Sequence, residues 1–353
     1  MIRLTITGAL CLCVAVLVAT AAASESTTRT VLVIHGGAGV LSEAEMAALN
    51  ISRQDFEKGL TQALAAGYQA WQQNKSGVET VEAAIRVMED SELFNAGKGA
   101  ALTSDGIAEL DAAIMEGTME GRGDGKVDPR KRAGAITGVT HVKNPISAAR
   151  AVMEMDGSRH VMLAGAGAES FVLNDANRAK YGIERVSNVY FWTDRRLKQI
   201  RELHSKGKGT VGAVAVDRQK NIAAGTSTGG VAGKWPGRVG DSPIIGAGTY
   251  ADNWACGVSC SGTGEVFMRH VTAHDVVARM VYAGKSVNDA ARETIDALPD
   301  EPNGVGGLIA LDPEGRHAFA MSKRSVGMYR GYVTYDGRIF VGIFANEAEK
   351  ERK

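Results

Sequence analysis

The chain has 353 residues, 44% of them apolar and 6% aromatic, and its 40 basic and 40 acidic side chains cancel to a formal net charge of zero. That balance excludes the basic footprint of a nucleic-acid binder and a polybasic membrane patch. The 43 glycines beside 7 prolines follow no collagen period; they point to tight turns and close backbone approaches in a globular, enzyme-sized protein.

In chain order, Arg3 precedes an apolar run from Ala9 to Ala19, then Ala21, Ala22 and Ala23 and the polar Ser24-Glu25-Ser26. A short basic region, about a dozen apolar residues and an A-x-A site predict a cleavable secretory signal over residues 1–23. The run is shorter than the roughly 20 residues a spanning helix needs, so no membrane anchor is expected after its removal. The predicted destination is therefore periplasmic or secreted. Cys11 and Cys13 fall inside the leader. Cys256 and Cys260 would lie about 13 Å apart along one strand face, too far to bond.

Val31–Ile34 reads as a buried strand entering the glycine-rich turn His35-Gly36-Gly37-Ala38-Gly39. Phe56, Leu60, Leu64, Tyr68 and Trp71 have helical spacing within 54–72, and a second helix is predicted over 78–88. Strands follow at 108–115 and 133–139. Asn144-Pro145 reads as a helix start, with Asn capping and Pro in the first turn, and that helix runs to Met153. A strand at 161–163 and a helix at 166–173 come next. Residues 174–209 are polar and read as a mobile connection with one helix near 194–203. Beyond it come strands at 211–216, 222–225 and 257–260, a long helix over 265–282, another over 287–297, and three or four strands between 305 and 343. Runs of strands, then helices, then strands predict an α+β fold of stacked sheets with helices outside.

The chemistry concentrates in Gly209-Thr210-Val211-Gly212, where a glycine precedes a threonine that opens an apolar strand. Alone, such a threonine is an ordinary strand residue. Its context is a dense polar set: Gly225-Thr226-Ser227-Thr228-Gly229-Gly230, Pro236-Gly237-Arg238-Val239-Gly240-Asp241-Ser242-Pro243 and Ser259-Cys260-Ser261-Gly262-Thr263-Gly264-Glu265.

These segments resemble the β-subunit signature of the plant-type L-asparaginase and isoaspartyl (β-aspartyl) peptidase family of N-terminal-nucleophile hydrolases. The resemblance runs through most of the chain after the leader. It includes His35-Gly36-Gly37-Ala38-Gly39, Leu93-Phe94-Asn95-Ala96-Gly97-Lys98-Gly99-Ala100, Glu109-Leu110-Asp111-Ala112, Val142-Lys143-Asn144-Pro145 and His160-Val161-Met162. It implies a four-layer αββα sandwich, with residues 24–209 as an α subunit and 210–353 as a β subunit of one domain.

In that family the chain cuts itself between Gly209 and Thr210, so that Thr210 becomes an N-terminal nucleophile whose own α-amine is the general base. An α-amine ordinarily titrates at about 8, so it is partly neutral near pH 7 and suits that task. The resemblance further assigns Thr228 to orienting the nucleophile. Arg238 takes the substrate α-carboxylate, which suits a planar fork, and Asp241 takes the α-ammonium. Gly262 and Ser261 become oxyanion donors, Gly264 joins the substrate site, and Asn95 orients the surroundings of Thr210. Ser261 stands where the family commonly has threonine, which leaves its hydroxyl with a less restricted rotamer.

The resemblance implies no cofactor for catalysis. It implies a structural sodium ion held by backbone carbonyls of Met88, Glu89, Ser91, Phe94, Ala96 and Lys98, and an (αβ)2 assembly. The expected substrates are isoaspartyl dipeptides and L-asparagine. Two rival readings are a glycosylasparaginase, which shares the fold and the threonine chemistry, and an exported amino-acid-binding protein that leaves the Gly209–Thr210 bond intact. Gly165-Ala166-Gly167 lacks the rest of a dinucleotide fingerprint, and His270 with His274 lacks a third metal ligand.

Overall fold

The computed structural model describes residues 29–117, 131–155, 159–201, 209–300 and 305–347; the predicted leader lies outside them. The chain opens with strand β1 (Thr30–Gly37), followed by helices α1 (Glu43–Ala48), α2 (Arg53–Gln72) and α3 (Gly77–Glu89). Each helix starts at a serine, Ser42, Ser52 or Ser76, whose hydroxyl accepts from the amide three residues on while that residue's carboxylate reaches back. These reciprocal caps satisfy amides that the first turn leaves orphaned.

Next come β2 (Leu110–Glu116), β3 (Arg132–Val139), α4 (Pro145–Met153), β4 (Met162–Ala164), α5 (Gly165–Val172), α6 (Asp175–Tyr181) and α7 (Asp194–Arg201). The second half supplies β5 (Val211–Val216), β6 (Ile222–Thr228), β7 (Thr249–Ala251), β8 (Gly257–Gly262), α8 (Gly264–His270), α9 (Thr272–Ala283), α10 (Val287–Asp296), β9 (Gly306–Leu311), β10 (His317–Met321), β11 (Gly327–Thr334) and β12 (Ile339–Phe344).

The strands form two sheets. One has eight strands in the order β12-β11-β1-β5-β6-β2-β3-β4, the other four in the order β10-β9-β8-β7. Pairing is antiparallel except between β3 and β4. Helices α2, α3 and α4 pack on one face of the large sheet, α9 and α10 on one face of the small sheet, and the remaining faces meet each other. Three apolar layers follow from this. Phe56, Leu60 and Ile85 fill the space between helices and large sheet. Val33, Val214 and Ile309 lie between the sheets. Val258, Phe267 and Ile295 lie beneath the second helical layer. This is the expected α+β four-layer sandwich. Cys256 and Cys260 are free and buried.

Four local features depart from the sequence expectations. The polar segment from 174 is folded through Arg201, not a loose connection: the Arg196 Nε donates to Gly99 O at 2.7 Å and the Arg195 Nη2 to Leu93 O at 3.0 Å. Its charged residues thus pin α7 to the segment 93–99. The long helix expected over 265–282 breaks at Val271, whose φ is 49°. The first amides of α9 turn aside, Ala273 N–H to Ala247 O and His274 N–H to Gly246 O. Strand β6 runs on to Thr228 because Thr228 pairs with Asp111 of β2. Finally, the Asn144 side chain caps nothing. The Glu89 carboxyl does that work, accepting from Ile146 N–H at 3.0 Å and from the Ser227 hydroxyl at 2.6 Å.

Candidate active site

Thr210 sits at the head of β5, at the centre of the large sheet and on the side facing the small one. Its hydroxyl is 2.8 Å from the Gly209 carbonyl oxygen and 3.2 Å from the Thr228 hydroxyl. Thr228, at the end of the neighbouring strand, accepts from Gly230 N–H at 2.9 Å and donates to Gly209 O at 3.2 Å. The Asn95 Nδ2 donates to Gly209 O and to Gly230 O, both at 2.6 Å, while its Oδ1 accepts from Ala101 N–H. The Gly209 carbonyl therefore faces donors from Asn95, Thr228 and Thr210 itself. An ordinary carbonyl rarely needs so many, and such convergence polarises the C=O bond.

A narrow cleft opens beside these groups, lined by Gly209, Thr210, Thr228, Gly230, Val231, Arg238, Gly240, Asp241, Ser242 and Gly262. On its far wall the Arg238 Nε donates to Glu265 at 3.0 Å, which leaves the Nη1–Nη2 edge for a planar carboxylate. A Cβ on Gly230 would lie 3.2 Å from the Arg238 Nη1, and one on Gly264 would lie 2.8 Å from Nη2 and 3.0 Å from the Asp241 Oδ1. Both glycines thus make room for the guanidinium, and Gly264 for the carboxyl as well. Asp241 is buried, its Oδ2 has no donor, and burial pushes its pKa up to about 7 against the pull of Arg238. A buried acceptor without a donor beside a free guanidinium edge is complementary to an α-amino acid.

The structure gathers Gly209, Thr210, Thr228, Arg238, Asp241 and Gly262 on one cleft, with Asn95 and Gly264 directly behind it. Ser261 is placed differently. It is buried, does not line the cleft, and its hydroxyl accepts from Ala38 N–H at 2.9 Å.

Met88 and Glu89 end α3, and Ser91, Phe94, Ala96 and Lys98 follow in a tight coil. A Cβ on Gly97 would fall 2.2 Å from Glu89 O, and one on Gly99 2.1 Å from Phe94 O. This carbonyl-walled cradle is of a kind that suits a hard cation.

Sequence reasoning gave no role to His35, Lys234 or Glu265. The His35 Nδ1 is 3.0 Å from Thr210 O, and burial lowers its pKa to about 3. It faces the carbonyl and not the hydroxyl of Thr210, so it is no general base. The Lys234 Nζ is buried against Glu109 O at 2.7 Å. Only the placement of His35 at the end of a predicted strand, in a glycine-rich turn, hinted at a site.

A four-layer sandwich with a threonine at the head of a central strand, beside a cleft lined by Arg238 and Asp241, is the frame of a hydrolase, and the comparisons with known proteins agree. The chain belongs to the asparaginase family, whose model matches residues 28–343. It is 40% identical over 337 residues to the isoaspartyl peptidase of Escherichia coli, covering 91% of this chain and 98% of that protein. The Salmonella typhimurium isoaspartyl peptidase is 40% identical over 320 residues, 86% of this chain and 95% of that protein. The isoaspartyl peptidase/L-asparaginase of Bos taurus is 35% identical over 326 residues, with coverages of 89% and 96%.

Proposed function

We propose that this protein is an isoaspartyl peptidase and L-asparaginase that cuts itself between Gly209 and Thr210 and then uses Thr210 as its nucleophile. The observation that carries the reading is the Gly209 carbonyl, held by Asn95 and Thr228 with the Thr210 hydroxyl beside it. In the cleavage step the Thr210 Oγ attacks the Gly209 carbonyl carbon and its proton passes to the departing nitrogen. The peptide becomes an ester on Thr210 with a free α-amine, and water then releases the Gly209 carboxylate. Removing one preorganised donor from such a site costs about 10²–10³ in rate, so Asn95 and Thr228 have a direct part in this step.

The matured site repeats the chemistry on substrate. Arg238 takes the α-carboxylate and Asp241 the α-ammonium, which aims the β-carbonyl of an aspartyl unit at Thr210. The Thr210 amine accepts the hydroxyl proton and hands it to the leaving amine or ammonia. Gly262 N–H holds the oxyanion; the Ser261 hydroxyl, which lies off the cleft on Ala38 N–H, is not the second donor. Water hydrolyses the acyl-enzyme, and L-aspartate leaves.

No cofactor enters this chemistry. The carbonyls of Met88, Glu89, Ser91, Phe94, Ala96 and Lys98 would hold a sodium ion that stiffens the loop carrying Asn95. The leader over 1–23 exports the protein to a periplasm or the medium, residues 24–209 and 210–353 are the two chains of one domain, and two such units assemble as (αβ)2.

The test is release of L-aspartate from a β-aspartyl dipeptide, L-asparagine and N4-(β-N-acetylglucosaminyl)-L-asparagine. The proposal expects turnover of the first two. Turnover of the glycosylated substrate alone would support a glycosylasparaginase, and binding without turnover would support an amino-acid-binding protein.

A further inference from the structure

Between the two sheets, in an otherwise apolar layer, lies a polar row that the cleft does not use. His35 on β1 pairs with Gly212 on β5, which pairs with Thr226 on β6. Residues directly opposite in a sheet share a face, so His35 and Thr226 flank a glycine. Ser259, from β8 of the facing sheet, is seated over that glycine: a Cβ on Gly212 would fall 2.0 Å from the Ser259 Oγ and 2.4 Å from the His35 Nε2. The Ser259 Oγ is 2.8 Å from the His35 Nε2 and 2.7 Å from the Thr226 Oγ1. The Thr249 hydroxyl, paired beside Ser259 on β7, reaches Thr226 at 2.6 Å. All four polar side chains are fully buried.

The proton directions are fixed from one end. Thr210 O can only accept, so the His35 Nδ1 carries the ring proton. The ring is held neutral by burial, so Nε2 presents a lone pair and Ser259 must donate to it. Ser259 therefore accepts from Thr226. The single Thr226 proton is thereby committed to Ser259 and not to Gly248 O at 3.1 Å, and Thr249 donates into Thr226.

We infer that the chain Thr249–Thr226–Ser259–His35 is a positioning relay that anchors the Thr210 carbonyl once cleavage has made Thr210 a chain terminus. This rests on the function proposed above. Newly made termini fray unless tied down, and the nucleophilic hydroxyl hangs from the same Cα as the anchored carbonyl. A misplacement of about 1 Å can cost 10²-fold in rate. None of the four residues touches substrate; they act through Thr210.

The experiment compares Thr226→Val, which keeps the shape and removes the proton, with Thr226→Ser, which keeps the proton and loses a methyl group. Processed enzymes are assayed for kcat and KM on a β-aspartyl dipeptide. Hydrogen exchange is followed in the peptide beginning at Thr210. The relay predicts a kcat about tenfold lower for the valine variant with little change in KM, and near wild-type values for serine, the pattern of an orienting hydrogen bond. It also predicts faster exchange in the valine variant than in the serine variant. A purely structural role predicts lower stability for both, since valine leaves the buried Ser259 and Thr249 hydroxyls short of a partner and serine leaves a cavity, but equal kcat and equal exchange at Thr210 in the folded variants. Equal kcat and equal exchange in the two variants would overturn the inference. Should Thr226→Val not fold, Thr249→Val against Thr249→Ser poses the same comparison one link further from Thr210. A wild-type enzyme inert on every aspartyl substrate would sink the proposed function instead, while the exchange comparison would still decide the relay.

Discussion

Asp241 shows how burial turns a carboxyl group into a selective one. Held at about 7 by desolvation, it is largely protonated in mildly acid solution, and an incoming α-ammonium must displace that proton. Apparent substrate affinity is therefore expected to weaken as pH falls below about 7, approaching tenfold per unit. Asp241→Asn should raise KM by roughly 10²-fold, as loss of a buried charge-assisted pair does, and should flatten its pH dependence. Profiles of KM from pH 5 to 8 for both proteins check this; a wild-type KM that does not change across the range would contradict it. Arg238 and Asp241 were singled out only through the resemblance of the 236–243 segment to the asparaginase family; their spacing alone would equally fit a surface salt bridge. His35 was not legible as an anchor. Its partner lies on another strand and its role depends on cross-strand register, which sequence spacing does not encode.

Among the elements, α3, α4 and β6 meet at Glu89. Its Oε1 accepts from Ile146 N–H and Ser227. Its Oε2 is a buried acceptor without a donor, which a proton on Glu89 would relieve. Burial accordingly pushes Glu89 up to about 8. Above pH 4.5 the unfolded chain releases this proton while the folded chain keeps it up to about pH 8. The stability it contributes is thus present in acid and is lost as pH rises through that window. Glu89→Gln retains an acceptor and gains a permanent donor. Its Tm should fall less than that of the wild type between pH 5 and 8, with about 2–4 °C of relief for each kcal/mol recovered. Parallel melting curves in which both proteins lose the same Tm would refute the assignment. The main helices and central strands were readable because their periodicity is local. The break at Val271 was not: it is made by the carbonyls of Gly246 and Ala247, which lie well upstream in the chain. The helix near 194–203 was readable and is α7, but its docking was not, because Arg195 and Arg196 bond carbonyls about a hundred residues upstream.

At the scale of the molecule, the two halves of the sequence interleave instead of dividing the space. Strand β5 follows the proposed cut and pairs with β1, which precedes it, while β6 pairs with β2. Cleavage would therefore leave the sheet intact and free only the terminus at its centre, where Asn95, Thr228 and His35 converge on Gly209 and Thr210. Fold class followed from the order of strands and helices. The interleaving did not, because antiparallel pairing between segments so far apart in the chain has no sequence signal of its own. The most direct measurement is the intact mass of the purified protein beside a Thr210→Ala variant. Self-processing yields two fragments from the wild type, one beginning at Thr210, and a single chain from the variant. A single uncut chain from both after prolonged incubation would rule self-processing out, and Thr210 with it as an N-terminal nucleophile.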